Sequence, residues 1–348
     1  MSSRASTRLA VVVPCFQVEG HIASVVDGLP DWVAVIVAVD DGSTDGTGRI
    51  LDRLAEREPR LRVVHHPANR GVGAAMVTGF RLALELGADV VVKMDGDGQM
   101  SADHLADLVR PLLEGRADYA KGNRFRHTRQ LTSMPAVRML GNIALTFMTK
   151  SASGCWHLFD VQNGYVAITR EALNALPLDR AERGYCFENW MLVELSIQDF
   201  RIADVAMPAR YGDERSTMRI LQVMLVFPPK LLRLFLRRLV LKYVVFDVSP
   251  IAIYVATGTA LFLFSAIFGG YYWVMSSATG IPTYAGRVAL AMLPMLMSFS
   301  LFLQAVDLDI RNSPRPRETG ERLELGELVA RLGRGAAAGS GGDLSGLD

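Results

Sequence analysis

Apolar runs and amphipathic stretches alternate from residue 9 to residue 206, and that alternation sets the expected elements. Residues 9–13, LAVVV, form the first run, and Pro14 closes it. Further runs follow at 33–39, 61–65, 90–94, 117–120, 161–169 and 202–206. Most are short and rich in β-branched residues, and turn-forming residues bound them, as expected of strands with both faces buried. Amphipathic stretches between them end near residues 29, 58, 86, 114, 150 and 198, with apolar positions at helical spacing. Strands alternating with helices predict an α/β fold around a mostly parallel, doubly wound sheet. Such sheets bind ligands at the carboxyl ends of their strands.

The pattern changes after Ser216. Lys230, Arg233, Arg237, Arg238 and Lys242 recur at helical spacing with leucines on the other side, which predicts an amphipathic helix suited to an anionic membrane surface. Residues 251–274 and 288–306 carry no charge at all. Roughly 20 such residues span a bilayer, so the two runs predict a transmembrane hairpin. Its connecting loop holds Arg287, whereas Arg311, Arg315, Arg317 and Arg322 lie beyond its end, so the positive-inside rule puts both termini in the cytoplasm. The expected organisation is a domain at 1–216, juxtamembrane helices at 217–248, a hairpin at 249–310, and a cytoplasmic tail at 311–348. The Gly/Ala/Ser-rich stretch from Gly333 onward is expected to be disordered.

Composition agrees with a membrane protein: half of the 348 residues are hydrophobic and the mean hydropathy is +0.22. The net charge of +1 gives no reason to expect a nucleic-acid partner. Cys15, Cys155 and Cys186 are far apart with no CxxC pair, as for buried thiols in a reducing compartment. The N-terminal segment has no signal-peptide pattern, so the domain at 1–216 is expected on the cytoplasmic face of the cell (inner) membrane.

The candidate chemistry lies at strand ends. The run VVVKM at 90–94 stops at Asp95-Gly96-Asp97-Gly98-Gln99. Two carboxylates one residue apart can direct hard oxygens at one Mg²⁺ or Mn²⁺, with Gln99 adding a neutral oxygen. A plain Gly-Asp turn is the competing reading. A second acidic cluster, Asp40-Asp41-Gly42-Ser43-Thr44-Asp45, ends the run at 33–39. Lys121 to Arg126 form a basic loop, and Arg138 and Asn142 fall one helical turn apart. Asp160 precedes the run at 161–169.

In this order the motifs resemble glycosyltransferase family 2, with its GT-A fold. The polyprenyl-phosphate glycosyltransferases, similar to dolichol-phosphate mannose synthase, are the nearest subgroup. Pro14, Phe16 and Glu19 resemble the family's Pro-x-Tyr-x-Glu loop, with an extra residue and Phe for Tyr. Asp40 to Asp45 look like its nucleotide-binding loop, Asn69-Arg70-Gly71 a loop near the nucleotide, and Asp95-Gly96-Asp97 the DxD metal motif followed by Gln99. The segment from Asp160 to Tyr165 is similar to Asp-x-Gln-Asn-Gly-Tyr.

The resemblance implies transfer of a hexose from a nucleotide-sugar to polyprenyl phosphate. Pro14, Phe16, Glu19, Asp40, Asp41, Ser43, Asn69 and Asp95 would then hold the donor, and Asp95, Asp97 and Gln99 a divalent cation. Arg124, Arg138, Asn142, Arg210 and Arg215 would hold the lipid phosphate. Asp97 and Asp160 are the catalytic candidates. Asp160 serves either as a base or sugar-orienting carboxylate, or only as a turn cap. Glu188 at a helix start fits either a sugar contact or the helix dipole, and the histidines show no ligand spacing. The bilayer is an expected partner, and hairpin packing would allow a homo-oligomer. Two alternatives stay open: a processive polysaccharide synthase, and a non-catalytic scaffold that binds nucleotide-sugars.

Overall fold

The computed structural model describes residues 7–124, 136–208, 220–318 and 323–339; for 136–140, 142, 220–225 and 334–339 only the backbone is described. The chain divides into two compact units. One comprises residues 1–234 with 314–348, the other residues 235–313.

The first unit is built on a seven-stranded sheet in the order β3-β2-β1-β4-β6-β5-β7. The strands are β1 (Leu9–Cys15), β2 (Val35–Asp40), β3 (Leu61–His65), β4 (Val90–Lys93), β5 (Tyr119–Asn123), β6 (Val166–Thr169) and β7 (Ile202–Ala206). All pair in parallel except β6, which runs antiparallel between β4 and β5. Pro14 does not end β1: the strand continues in register with β2 to Cys15 and Asp40. Met94 N–H donates to Val12 O, so Pro14 points its missing donor to the β4 side, where the β1 pairing has already ended at Val12 and Lys93.

The two faces of the sheet follow the alternation of β1. Val11, Val13, Ile36, Ala38, Val92 and Ala167 turn to a face covered by α1 (Ile22–Asp27), α2 (Thr47–Arg57) and α4 (Leu105–Leu113). The opposite face carries α3 (Val72–Glu85) and α7 (Phe187–Ile197), whose Phe80 and Phe187 rings lie 6.2 Å apart. A Cβ on Gly79 would stand 2.2 Å from Val12 Cγ1, so a glycine lets α3 lie directly on the strand. Helix α5 (Ala136–Ser153) precedes β6, and the short α6 (Arg170–Ala175) follows it.

Residues 314–339 differ from the expected tail. They return to the first unit and end in α11 (Leu325–Gly339), which packs against α4 and β1. Leu323, Leu328 and Leu332 are buried in the same core as β1. Thr7 N–H donates to Arg331 O, Arg110 to Leu323 O, and Ile202 N–H to Pro314 O. Three leucines at near-helical spacing supply an apolar stripe that outweighs the Gly/Ala composition of the segment after them.

Helix α8 (Ile220–Val240) leads into the second unit, where α9 (Pro250–Thr279) and α10 (Ala285–Arg311) are apolar and long enough to cross a membrane. They form a hairpin: a Cβ on Gly258 would stand 3.0 Å from the Phe302 ring, and Ser298 Oγ–H donates to Gly258 O at 2.8 Å. The basic helical face expected at 230–242 is partly consumed internally. Lys230 pairs with Glu182 at 2.7 Å, and buried Arg238 forks onto Asp309 at 2.6 and 3.0 Å. Such pairing leaves these two side chains directed at carboxylates, not presented to an anionic surface.

Candidate active site

A cavity of about 140 Å³ opens at the carboxyl end of β4. Asp95, Asp97 and Gln99 line it together with Arg124, which follows β5, and with Asn163 and Gly164, which lie just before β6. The antiparallel insertion of β6 therefore brings the segment from Asp160 to Tyr165 beside the acidic loop. Asn163 Nδ2 donates to Gly122 O, its Oδ1 accepts from Tyr165 N–H, and Tyr165 O–H donates to Ser101 O.

Sequence reasoning did not find the cation under this loop. Lys93 is fully enclosed in β4, and its Nζ donates to Asp95 Oδ1 at 2.6 Å and to Gly164 O at 3.3 Å. Glu188 Oε1, at the start of α7, lies 3.1 Å from the same nitrogen. Burial opposes the charged form, but Asp95 and Glu188 outweigh it and hold the Lys93 pKa above the ordinary lysine value. A Cβ on Gly164 would stand 2.5 Å from Lys93 Nζ and 3.0 Å from Asp95 Oδ2, so a glycine keeps this corner open. The available signal was one charged residue inside an otherwise apolar strand. Lys121, also buried, donates to Asn163 O; burial pushes its ammonium down to about 8 although Glu188 and Asp160 pull the other way.

Arg124 and Asp160 form one forked pair. Arg124 Nε and Nη2 donate to the carboxylate at 2.8 and 3.3 Å, and the Arg124 N–H adds a bond at 3.2 Å. Asp160 is buried and engaged through both oxygens, so it anchors the arginine.

The expected donor loops gather beside the cavity, at the ends of β1 and β2. Asp41, buried, accepts from His66 Nδ1, Arg70 N–H and Gly71 N–H at 2.7, 3.0 and 2.8 Å. It shapes the Asn69-Arg70-Gly71 loop, and the Gly71 N–H also donates to Asn69 Oδ1. Asp40 accepts from Ser43 N–H and pairs with His65, whose other ring nitrogen meets Asp52. The Asp40 bond foremost, with Asp52, raises the His65 pKa above the imidazole value. His65 and His66 thus brace carboxylates. Glu19 accepts from Gly46 N–H at 2.6 Å, Gln17 N–H donates to Ser43 Oγ, and Phe16 is exposed beyond Pro14. Gly96 lies against Val18 and Cys15, so the β1 and acidic loops touch.

Arg138 and Asn142 fall on α5 at positions described by backbone alone, and Arg210 and Arg215 lie outside the described residues. Among the described residues no group of three His, Cys, Asp or Glu side chains surrounds a single metal position. The donor set still fits a hard cation. Mg²⁺ and Mn²⁺ accept one or two carboxylates and leave the rest of their coordination to water and phosphate oxygens. Asp95 is one-third exposed toward the cavity (32%), and Asp97 stands two residues on.

The profile described as Glycosyl transferase family 2 matches residues 10–176. The UDP-N-acetylglucosamine--dolichyl-phosphate N-acetylglucosaminyltransferase of Methanococcus voltae is 30% identical over 67% of this chain and 95% of its own. The polyprenol monophosphomannose synthase of Mycolicibacterium smegmatis is 31% identical over 53% and 71%. The undecaprenyl-phosphate mannosyltransferase of Micrococcus luteus is 30% identical over 57% and 82%. Among solved structures, the mannosyltransferase PcManGT from Pyrobaculum calidifontis in complex with GDP-Man and Mn²⁺ covers 88% of each chain at 17% identity and a TM-score of 0.43.

Proposed function

Because this chain belongs to glycosyl transferase family 2, we propose that it moves a hexose from a UDP- or GDP-linked sugar to a polyprenyl phosphate. The product is a polyprenyl-phosphate sugar, a unit for cell-envelope glycan or glycoprotein assembly. The observation that carries this reading is that one cavity is lined by two carboxylates, Asp95 and Asp97, and by Arg124. A donor diphosphate and an acceptor phosphate need those opposite signs next to each other.

Asp95 and Asp97, with Gln99, would hold a divalent cation, which when bound neutralises charge growing on the leaving diphosphate. The chain's own residues perform the rest. Lys93, itself paired with Glu188, holds the Asp95 carboxylate. Asp160 fixes Arg124, whose guanidinium would meet acceptor phosphate oxygens. The acceptor is already an anion near neutral pH, so the reaction needs positioning more than a strong base. Phe16 and the loops braced by Asp40, Asp41 and Glu19 would seat the nucleoside, and Arg138, Asn142, Arg210 and Arg215 would extend the acceptor site. The hairpin would hold this cleft at the cytoplasmic face of the inner membrane, where a polyprenyl phosphate presents its headgroup.

The test is transfer of radiolabelled sugar from a panel including UDP-GlcNAc, UDP-glucose and GDP-mannose into organic-extractable polyprenyl phosphate. Purified protein is assayed with Mn²⁺ or Mg²⁺, with EDTA, and as Asp97→Asn. Metal-dependent product that the variant lacks is the expected result and names the donor. Folded protein that binds nucleotide yet labels no lipid from any donor overturns the proposal.

A further inference from the structure

The helix that follows the Asn69-Arg70-Gly71 loop begins without a cap of its own. Its N-cap is Gly71, at φ +92°, which makes no side-chain bond to the first turn of α3. The first N–H groups of any helix need partners from elsewhere. A distant segment supplies one here: Arg183 O accepts from Gly73 N–H at 2.8 Å. The approach is closer than a side chain would allow, since a Cβ on Gly71 would run into Arg183 O and one on Gly73 into Glu182 O. The loop is thus held from two sides. The Asp41 carboxylate takes the Arg70 and Gly71 N–H groups, and the 182–183 backbone takes the start of α3.

Residues 181–186 belong to no helix or strand, so no ladder of backbone bonds sets their position. Glu182 has a partner that does. Its carboxylate accepts from Lys230 Nζ of α8 at 2.7 Å, with both side chains partly exposed. Beyond Arg183 the segment turns into α7, where Phe187 N–H donates to Gly184 O at 3.0 Å. Glu188 then reaches Lys93, the cation that holds Asp95. One short segment therefore touches both loops of the donor site, the first through a backbone carbonyl and the second through a carboxylate.

We propose that Glu182 is a positioning residue for the donor site: gripped by Lys230, it keeps the Arg183 carbonyl on the Gly73 N–H and so holds the Asn69–Gly73 loop in its nucleotide-binding shape. The proposal rests on the donor-binding reading of that loop given above. Glu182 itself touches no substrate. It acts through the carbonyl of the next residue, and Lys230 acts through Glu182. A carboxylate and an ammonium suit this task because their attraction limits how far an otherwise irregular segment can drift from the two glycines.

The test uses the full chain in lipid nanodiscs, as Glu182→Lys, as Lys230→Glu, and as the double variant in which the two charges are swapped. Two readouts are taken: hydrogen exchange of residues 69–75 without nucleotide, and the dissociation constants of UDP and GDP with Mn²⁺. Each single variant is expected to exchange faster in that stretch. Each should also hold the nucleotide that the wild type binds about fivefold more weakly, the amount one partly exposed ion pair can pass on. The charge-swapped variant is expected to recover both. A merely structural pair would lower the thermal midpoint and leave the nucleotide constants unchanged, and that result overturns the proposal. Weakening that the swap does not recover overturns it as well. Wild-type protein that binds neither nucleotide overturns the donor reading instead, and the exchange data then decide alone whether the clamp holds the loop.

Discussion

Lys93 holds the acidic loop in place. Its run in the sequence, VVVKM, reads as a buried strand, but nothing local names its partner, because Glu188 reaches it from α7 on another part of the fold. The carboxylate pair itself was legible, since a turn after a strand must place Asp95 and Asp97 at the ligand-binding edge. The hydrogen-bond donors around Asp41 and Asp160 were not: the sequence marks an acid at a strand end but not the groups that meet it. Three expectations belong at this scale. Lys93→Met removes the buried cation that Asp95 and Glu188 share, and breaking a buried pair costs about 3–5 kcal/mol, visible as a lower thermal midpoint. Asp97→Asn keeps the fold but lowers transfer by about 10²–10³-fold, the usual cost of losing one charge-stabilising group. The His65 pKa is raised in the folded protein, so its bond to Asp40 contributes fully below the unfolded imidazole value and fades as pH climbs through the folded value. The ring is 43% exposed, so the effect stays below about 1 kcal/mol. Chemical denaturation should find the wild type slightly weaker at alkaline pH, and His65→Gln should flatten that slope.

At the scale of elements, periodicity located most strands and helices and missed connectivity. The strand beginning at Val166 was expected from 161, but residues 161–165 are a turn and loop, of which Gln162 to Tyr165 line the cavity, and the antiparallel direction of β6 depends on pairing that no local pattern records. The segment after the hairpin shows the same limit. Its glycines and alanines resemble a tail, whereas Leu323, Leu328 and Leu332 find a core made by α4 and β1, far earlier in the chain. Leu328→Ala should therefore cost about 2–5 kcal/mol, the range for truncating a buried leucine. Its measured denaturation should shift by the amount expected of a core residue, not of a dispensable tail.

At the scale of the whole chain, composition alone announced two apolar spans, and α9 and α10 fall on them. The protein should accordingly stay with membranes through alkaline carbonate washing and leave them only in detergent. What composition did not announce is the order of the pieces. The strands are complete by Ala206, but α11, which packs on α4 and β1, lies beyond the hairpin. The membrane segment is thus an interruption within a domain whose core contains residues from both sides of it. On the ribosome, α4 and β1 must wait with an uncovered apolar face until the hairpin and residues 314–339 have emerged. Final closure of the catalytic unit is in this way timed by the synthesis of its anchor, and a chain cut short before the hairpin ends has no means of finishing its own core.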